Sequence, residues 1–352
     1  MSPGMLIRTE YLTLDQLKNH QRRQYQDTLG IAVFAATASG LPLPDLQMPE
    51  LPIAVVPTPP LGTASAVAEI WRAPGSLQSG QSGPIHYRTN KQMLFGCLAL
   101  AEPVIPTDES GYTPLEHLTK RAYAEIFRCI ETTGCPHLLR VWNYLPEINR
   151  ETSGSERYRQ FNAARQRAFL ASQRSVTGNV PAASALGLSA GNVLTIYFLA
   201  SRLAGANLEN PRQIAAYNYP PQYGAFSPTF SRATLVQAAP QPLLLVSGTA
   251  SIVGHSTVHA GDVVEQTREA MINIGALASV ANRESGAAHF VPERLIYKVY
   301  LRHAADHLPV LQELRGTLGT AVPVLFLRAE VCREPLLVEI EAVSAAPLTA
   351  ED

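Results

Sequence analysis

A repeated order of elements constrains this chain most: helix, strand, helix, strand is written twice, with matching signals at the joints. In the first round, Thr113-Pro114-Leu115-Glu116 reads as a helix start. It offers a hydroxyl to cap, a proline at the first helical position and a glutamate to reach back to the cap amide. Leu115, Leu118, Ala122, Ile126 and Cys129 then recur at helical spacing until Gly134 ends the run. A strand is expected from Leu138 to Leu145, with Leu139, Val141 and Asn143 on one face. An Arg-rich helix follows from Glu156 to about Gln173, and a strand from Asn192 to Leu199. In the second round, Asp262-Val263-Val264-Glu265 is again a capping arrangement, and Val263, Thr267, Ala270, Ile274 and Leu277 form a helical stripe. Arg294 to Leu301 reads as a strand, Ala304 to Arg315 as a helix and Leu336 to Val343 as the closing strand. The repeat points to an internal duplication and an α+β fold. The boundaries are residues 81–205 and 206–352, after an N-terminal extension of residues 1–80. Within residues 40–80 the density of Pro, Gly and Ser argues for short strands, such as Ile53–Val56, separated by loops.

Composition narrows the function classes. With 352 residues and 46% hydrophobic content, the chain has material for more than one core. A formal net charge of −1 gives no general attraction to nucleic acid or to acidic membranes, so a bound anion must be held by locally placed arginines. The start MSPGMLIRTEYLTLDQ does not read as a signal peptide, and no stretch is long and apolar enough to be expected as a transmembrane helix. Cys97, Cys129, Cys135 and Cys332 form no ligand spacing and read as reduced thiols, which makes the expected location cytoplasmic. His255 and His259 lack a third ligand, and Asp262 is committed to the helix cap, so no metal is expected. Ser247 and Ser251 stand outside any G-x-S-x-G context, and no phosphate loop or dinucleotide fingerprint is present, so no cofactor is expected. The oligomeric state is not readable.

Several residues stand out as candidates for chemistry. On the closing strand, Glu339 and Glu341 share a face opposite Val338 and Ile340. Such a pair is also what a solvated strand face carries. The aligned strand of the first round, Leu194-Thr195-Ile196-Tyr197, has no acid. Tyr158 and Arg165 lie two turns apart on one helix face, while Arg157, Arg159 and Arg167 point elsewhere, to the expected surface. Tyr219 and Arg232 flank YPPQYGAFSPTFSR, a loop whose prolines and aromatics suit a stiff pocket wall. Cys332 aligns with Ser189 of the first round and by itself reads as a small buried hydrophobe.

The second round, GDVVEQTREAMINIGAL with RLIYKVYL and LLVEIEAV, resembles the RidA/YjgF superfamily. The resemblance implies two RidA/YjgF-like (chorismate-mutase-like) units in one chain. Imine deaminases of that superfamily hold the substrate carboxylate with an arginine about fifteen residues before the first Glu of the closing strand. Val324 stands there, which counts against that activity. The longer motifs RVWNYLPEIN, ERYRQFNAARQRAF, PAASALG, NPRQIAAYNYPPQYGAFSPTFSRA, SGTASIVGH and CREPLLVEIEA resemble, in order, a narrower family, the chorismatases. That resemblance implies Glu339 as the catalytic acid and Tyr158, Arg165, Tyr219 and Arg232 as substrate-binding residues. It also implies that Cys332 is catalytic, in the branch that makes hydroxybenzoates. Gly248 is a candidate for a second position that distinguishes the branches. The expected reaction is cleavage of chorismate to pyruvate and 3-hydroxybenzoate, with 4-hydroxybenzoate a compatible further product. A chorismate hydrolase giving the non-aromatic dihydroxycyclohexadiene carboxylate, an imine deaminase and a non-catalytic carboxylate binder are the alternatives.

Overall fold

The structure, a computed structural model, describes residues 7–18, 25–37, 50–103, 111–189, 191–237, 241–287 and 289–344. The Pro-rich stretch 40–49 and the extreme N-terminus therefore lie outside the described residues. A four-stranded sheet is built from β1 (Arg8–Thr13), β2 (Thr28–Phe34), β3 (Ile53–Val56) and β4 (Val67–Arg72), with the short helix α1 (Leu14–Lys18) beside it.

The second sheet takes β5 (Gln78–Ser82), β6 (Ile85–Thr89), β7 (Met93–Ala101), β8 (His137–Pro146), β11 (Ala182–Leu188) and β12 (Val193–Ser201). Between these come α2 (Pro114–Thr132), a small hairpin of β9 (Glu151–Thr152) and β10 (Ser155–Glu156), and α3 (Arg157–Ala171). The third sheet takes β13 (Ala206–Leu208), β14 (Ala233–Val236), β15 (Leu243–Thr249), β18 (Leu295–Leu301), β19 (Val324–Arg328) and β21 (Val338–Ser344). It carries α4 (Val263–Ser285) and α5 (His307–Leu318), and β16 (Ile252–Val253) pairs with β17 (Ser256–Thr257) after β15. One strand crosses between the sheets: β20 (Glu330–Val331), from the C-terminal part of the chain, pairs with β11 at the edge of the second sheet.

The expected helix starts form as read. Thr113 and Glu116 complete a reciprocal capping box. Asp262 accepts from the amides of Val264 and Glu265, whereas the Glu265 side chain turns to Arg268 instead of closing a box. In β8 the reading needs correction. The register against β12 skips at Leu139, and this bulge sends Leu139 to the opposite face from Val141 and Asn143.

Alternation along the strands sets the layers. Val338, Ile340 and Ala342 of β21 pack under α4 and α5, and Val141 and Leu145 of β8 pack under α2 and α3. The other faces meet in a central core that draws on all three sheets, including Phe34, Trp71, Trp142, Tyr144, Tyr197, Tyr300 and Val343. Glu339 and Glu341 therefore point into the middle of the molecule. Among the described residues, no helix is long and apolar enough to cross a membrane.

Candidate active site

Glu341 anchors a buried polar cluster between the sheets. It takes a hydrogen bond from Trp142 Nε1 at 2.9 Å and from Ser184 Oγ at 2.8 Å, and is ion-paired with Arg140 and, at 2.8 Å, with Lys298. Burial opposes its charge, but Lys298 and Arg140 win and hold the carboxyl below its ordinary pKa. Glu341 is thus a buried anion and not a solvent-facing residue. The register explains the pairing: on β18, Lys298 stands opposite Glu341 and Tyr300 opposite Glu339.

Glu339, two residues away on the same face, is 4% exposed. Burial and the neighbouring charge of Glu341 push its carboxyl up to about 8, against the pull of Arg140 and Arg232. The carboxyl lies directly on the backbone of Gly248, where a Cβ would come within 1.8 Å of Oε1. The Gly248 amide in turn donates to Ser184 Oγ at 3.0 Å. A buried acid that keeps its proton near neutral pH is equipped to give that proton away.

Two further buried guanidiniums belong to this region, Arg232 beside Glu339 and Arg165 beside Tyr158. Arg165, 2% exposed on α3, donates to Asn162 Oδ1 at 3.0 Å and lies against the Phe161 ring. Arg232, 5% exposed just before β14, donates to the Tyr219 hydroxyl at 2.7 Å and to the Ile214 carbonyl at 3.0 Å. The Nε of each has no hydrogen-bond partner among the described residues. Buried donors left open in this way call for a partner, and a carboxylate suits the guanidinium fork.

Cys332 follows β20 and so hangs from the edge of the second sheet, beside Tyr158. Burial and the charge of Glu339 push its thiol up to about 12, so at neutral pH it is a thiol and not a thiolate. Burial likewise raises the Tyr158 hydroxyl, which lies near both Cys332 and Arg165.

The structure therefore brings all six sequence-expected residues into one connected cluster: Glu339, Cys332, Tyr158, Arg165, Tyr219 and Arg232. Arg157, expected on the surface, is buried at the head of α3, where it donates to the Pro146 carbonyl at 2.9 Å and pairs with Glu102 at 2.6 Å. Sequence reasoning missed Arg140, Ser184, Lys298 and Glu69, and also Arg333, whose guanidinium lies 4.1 Å from the Tyr223 ring centre and 4.9 Å from that of Tyr219. A signal existed for Lys298, the lone charge inside an apolar strand, and for Glu69, which stands among Val67, Ala68, Ile70 and Trp71.

Residues 69–200 match the family model described as "Chorismatase FkbO/Hyg5-like, N-terminal". A 3-hydroxybenzoate synthase of Streptomyces hygroscopicus is 35% identical over 328 residues, covering 90% of this chain and 92% of the relative. A chorismatase of Streptomyces rapamycinicus is 36% identical over 288 residues, covering 79% of this chain and 82% of the relative. A crystal structure of a chorismatase superposes with a TM-score of 0.85 at 28% identity, covering 98% of this chain and 100% of that one. Likeness of this extent along nearly the whole length means that the chain belongs to the chorismatase family.

Proposed function

We propose that this protein cleaves chorismate to pyruvate and 3-hydroxybenzoate, with Glu339 as the acid and Arg165 and Arg232 as carboxylate grips. The observation that carries the reading is the pairing of two buried guanidiniums, each with an open Nε, with a buried carboxyl raised to about 8. Chorismate carries two carboxylates and an acid-sensitive enol ether. The arginines fix its orientation, Tyr219 holds Arg232 in place and Tyr158 closes the wall by Cys332.

Protonation of the terminal methylene by Glu339 gives an oxocarbenium ion. The adjacent ring hydroxyl then attacks the ether-bearing carbon. The carbon–oxygen bond breaks with its electron pair going to oxygen, and pyruvate leaves. The attacking hydroxyl and a ring C–H each release a proton; one returns to Glu339 and the other goes to the oxygen of the opening epoxide, which gives 3-hydroxybenzoate. No water, redox step or cofactor enters this balance. The Cys332 thiol is the group beside the ring for proton transfer during aromatisation. On this proposal, residues 81–205 and 206–352 are duplicated RidA-like units that build the site between them, in a cytoplasmic enzyme.

The direct test is to incubate the purified protein with chorismate alone and separate the products by chromatography and mass. Pyruvate with 3-hydroxybenzoate supports the reading, and untouched chorismate overturns it. Release of the non-aromatic diol alone would reassign the protein to the hydrolases. Cys332→Ala is expected to divert a measurable share of product from 3-hydroxybenzoate to 4-hydroxybenzoate or the diol while chorismate is still consumed. An unchanged product ratio removes Cys332 from the chemistry. Arg165→Lys, which keeps the charge but loses the fork, is expected to raise KM by about tenfold. Because Glu339 must be protonated to act, turnover is expected to decline as pH rises through about 8, read from a pH profile of kcat/KM.

A further inference from the structure

The charge cluster behind Glu339 reaches further than the site described so far. Lys298, which pairs with Glu341, also touches Glu69, with its Nζ 2.9 Å from each Glu69 oxygen. The Tyr197 hydroxyl donates to Glu69 at 2.8 Å and accepts from Lys298 at 2.9 Å. Glu69 comes from β4 of the N-terminal sheet, Arg140 from β8 of the second and Lys298 and Glu341 from the third, and all four are at most 5% exposed. All three sheets are thus tied into a single buried array.

Counting its charges gives two cations, Arg140 and Lys298, against two anions, Glu69 and Glu341. The array is neutral without any charge on Glu339. The other groups facing Glu339 are Tyr300 from β18, the Cys332 thiol and Arg232. Arg232 is the remaining cation in that group, and on the reading above it is engaged by a substrate carboxylate.

We propose that Glu69 is a positioning residue for the proton donor: by holding Lys298, it keeps the Arg140–Glu341–Lys298 array neutral, so that Glu339 faces no surplus cation and stays in its acid form. The N-terminal sheet then belongs to the catalytic machinery through one carboxylate. The inference rests on the proposed role of Glu339. Removal of the Glu69 charge leaves a surplus cation, which favours the carboxylate of Glu339. Removal of Lys298 leaves a surplus anion, which favours its acid.

The test is the pH profile of kcat in the full-length protein, which reports the chorismate complex in which Arg232 is engaged. The descending limb is expected to move down by about one pH unit in Glu69→Gln and up by a similar amount in Lys298→Met. It should return towards the wild-type position in the double variant, and Glu69→Asp, which keeps the charge, should hold that position. A purely structural role would lower activity at every pH without moving the limb. Folded Glu69→Gln and Lys298→Met proteins with unmoved limbs overturn the proposal. If Glu69→Gln does not fold, Lys298→Met decides alone, with an upward shift in support and none against. Wild-type protein inert towards chorismate, or full turnover in Glu339→Gln, would instead remove the reading beneath it.

Discussion

Glu339→Gln is expected to lose chorismate turnover by about 10³-fold, within the range usual for removing a positioned acid. Substrate affinity should change little, because the proposed carboxylate grips are Arg165 and Arg232, which the substitution leaves in place. The same variant is expected to be more stable than the wild type at neutral pH. The folded carboxyl titrates at about 8, well above its unfolded value near 4.3. A group raised in this way stabilises the folded state fully below the unfolded pKa and loses that contribution as pH climbs through the folded one. At pH 7 the unfolded chain gains by ionising Glu339 and the folded chain does not, a penalty on the order of 3 kcal/mol that glutamine removes. Thermal denaturation at pH 7 and pH 5 checks this: the advantage of the variant should shrink at the lower pH. A variant that keeps both full turnover and the wild-type stability profile would mean that Glu339 is neither the acid nor a strained buried carboxyl.

What was legible in the chain was whatever depends on short-range order. Both helix starts follow from residues within one turn of each other, and the odd–even alternation of the closing strand correctly put Glu339 and Glu341 on one face. The two-turn spacing of Tyr158 and Arg165 likewise gave a shared approach to the site. The environment of those carboxylates was not legible. Glu69 and Lys298 meet across a separation of 229 residues, and Arg140 and Glu341 across 201, so no local pattern announces either contact. Alone, each residue is a charge in an apolar strand, a placement that is costly without a partner and therefore implies one without naming it. The bulge at Leu139 shows the same limit in the backbone: strict alternation would put Leu139 with Val141, and only the pairing with β12 reveals the extra residue. Arg157 was misplaced because helical spacing fixes the side on which a residue lies but not what covers that side, here Glu102 and the Pro146 carbonyl.

Gly248→Ala tests how closely the acid must be placed. The backbone at Gly248 does not lie in the left-handed region, so alanine meets no conformational barrier there. The obstacle is the space above it, where the new methyl carbon would stand 1.8 Å from Glu339 Oε1, 2.6 Å from its Cδ and 3.0 Å from Ser184 Oγ. The carboxyl is the movable partner, since it ends a flexible side chain, whereas Ser184 is held by Arg140 at 2.5 Å and by Glu341 at 2.8 Å. Glu339 must therefore swing away from β15 while the cluster around Glu341 stays put. Displacement of a reacting group by about 1 Å can cost on the order of 10²-fold in rate, and a loss of that size in kcat is expected. The product ratio should shift as well, because the acid then meets the enol ether from a new direction. Melting temperature should change much less than activity, which separates this result from simple misfolding. A variant with wild-type kcat and product ratio would show that the contact between Glu339 and the β15 backbone has no part in placing the proton.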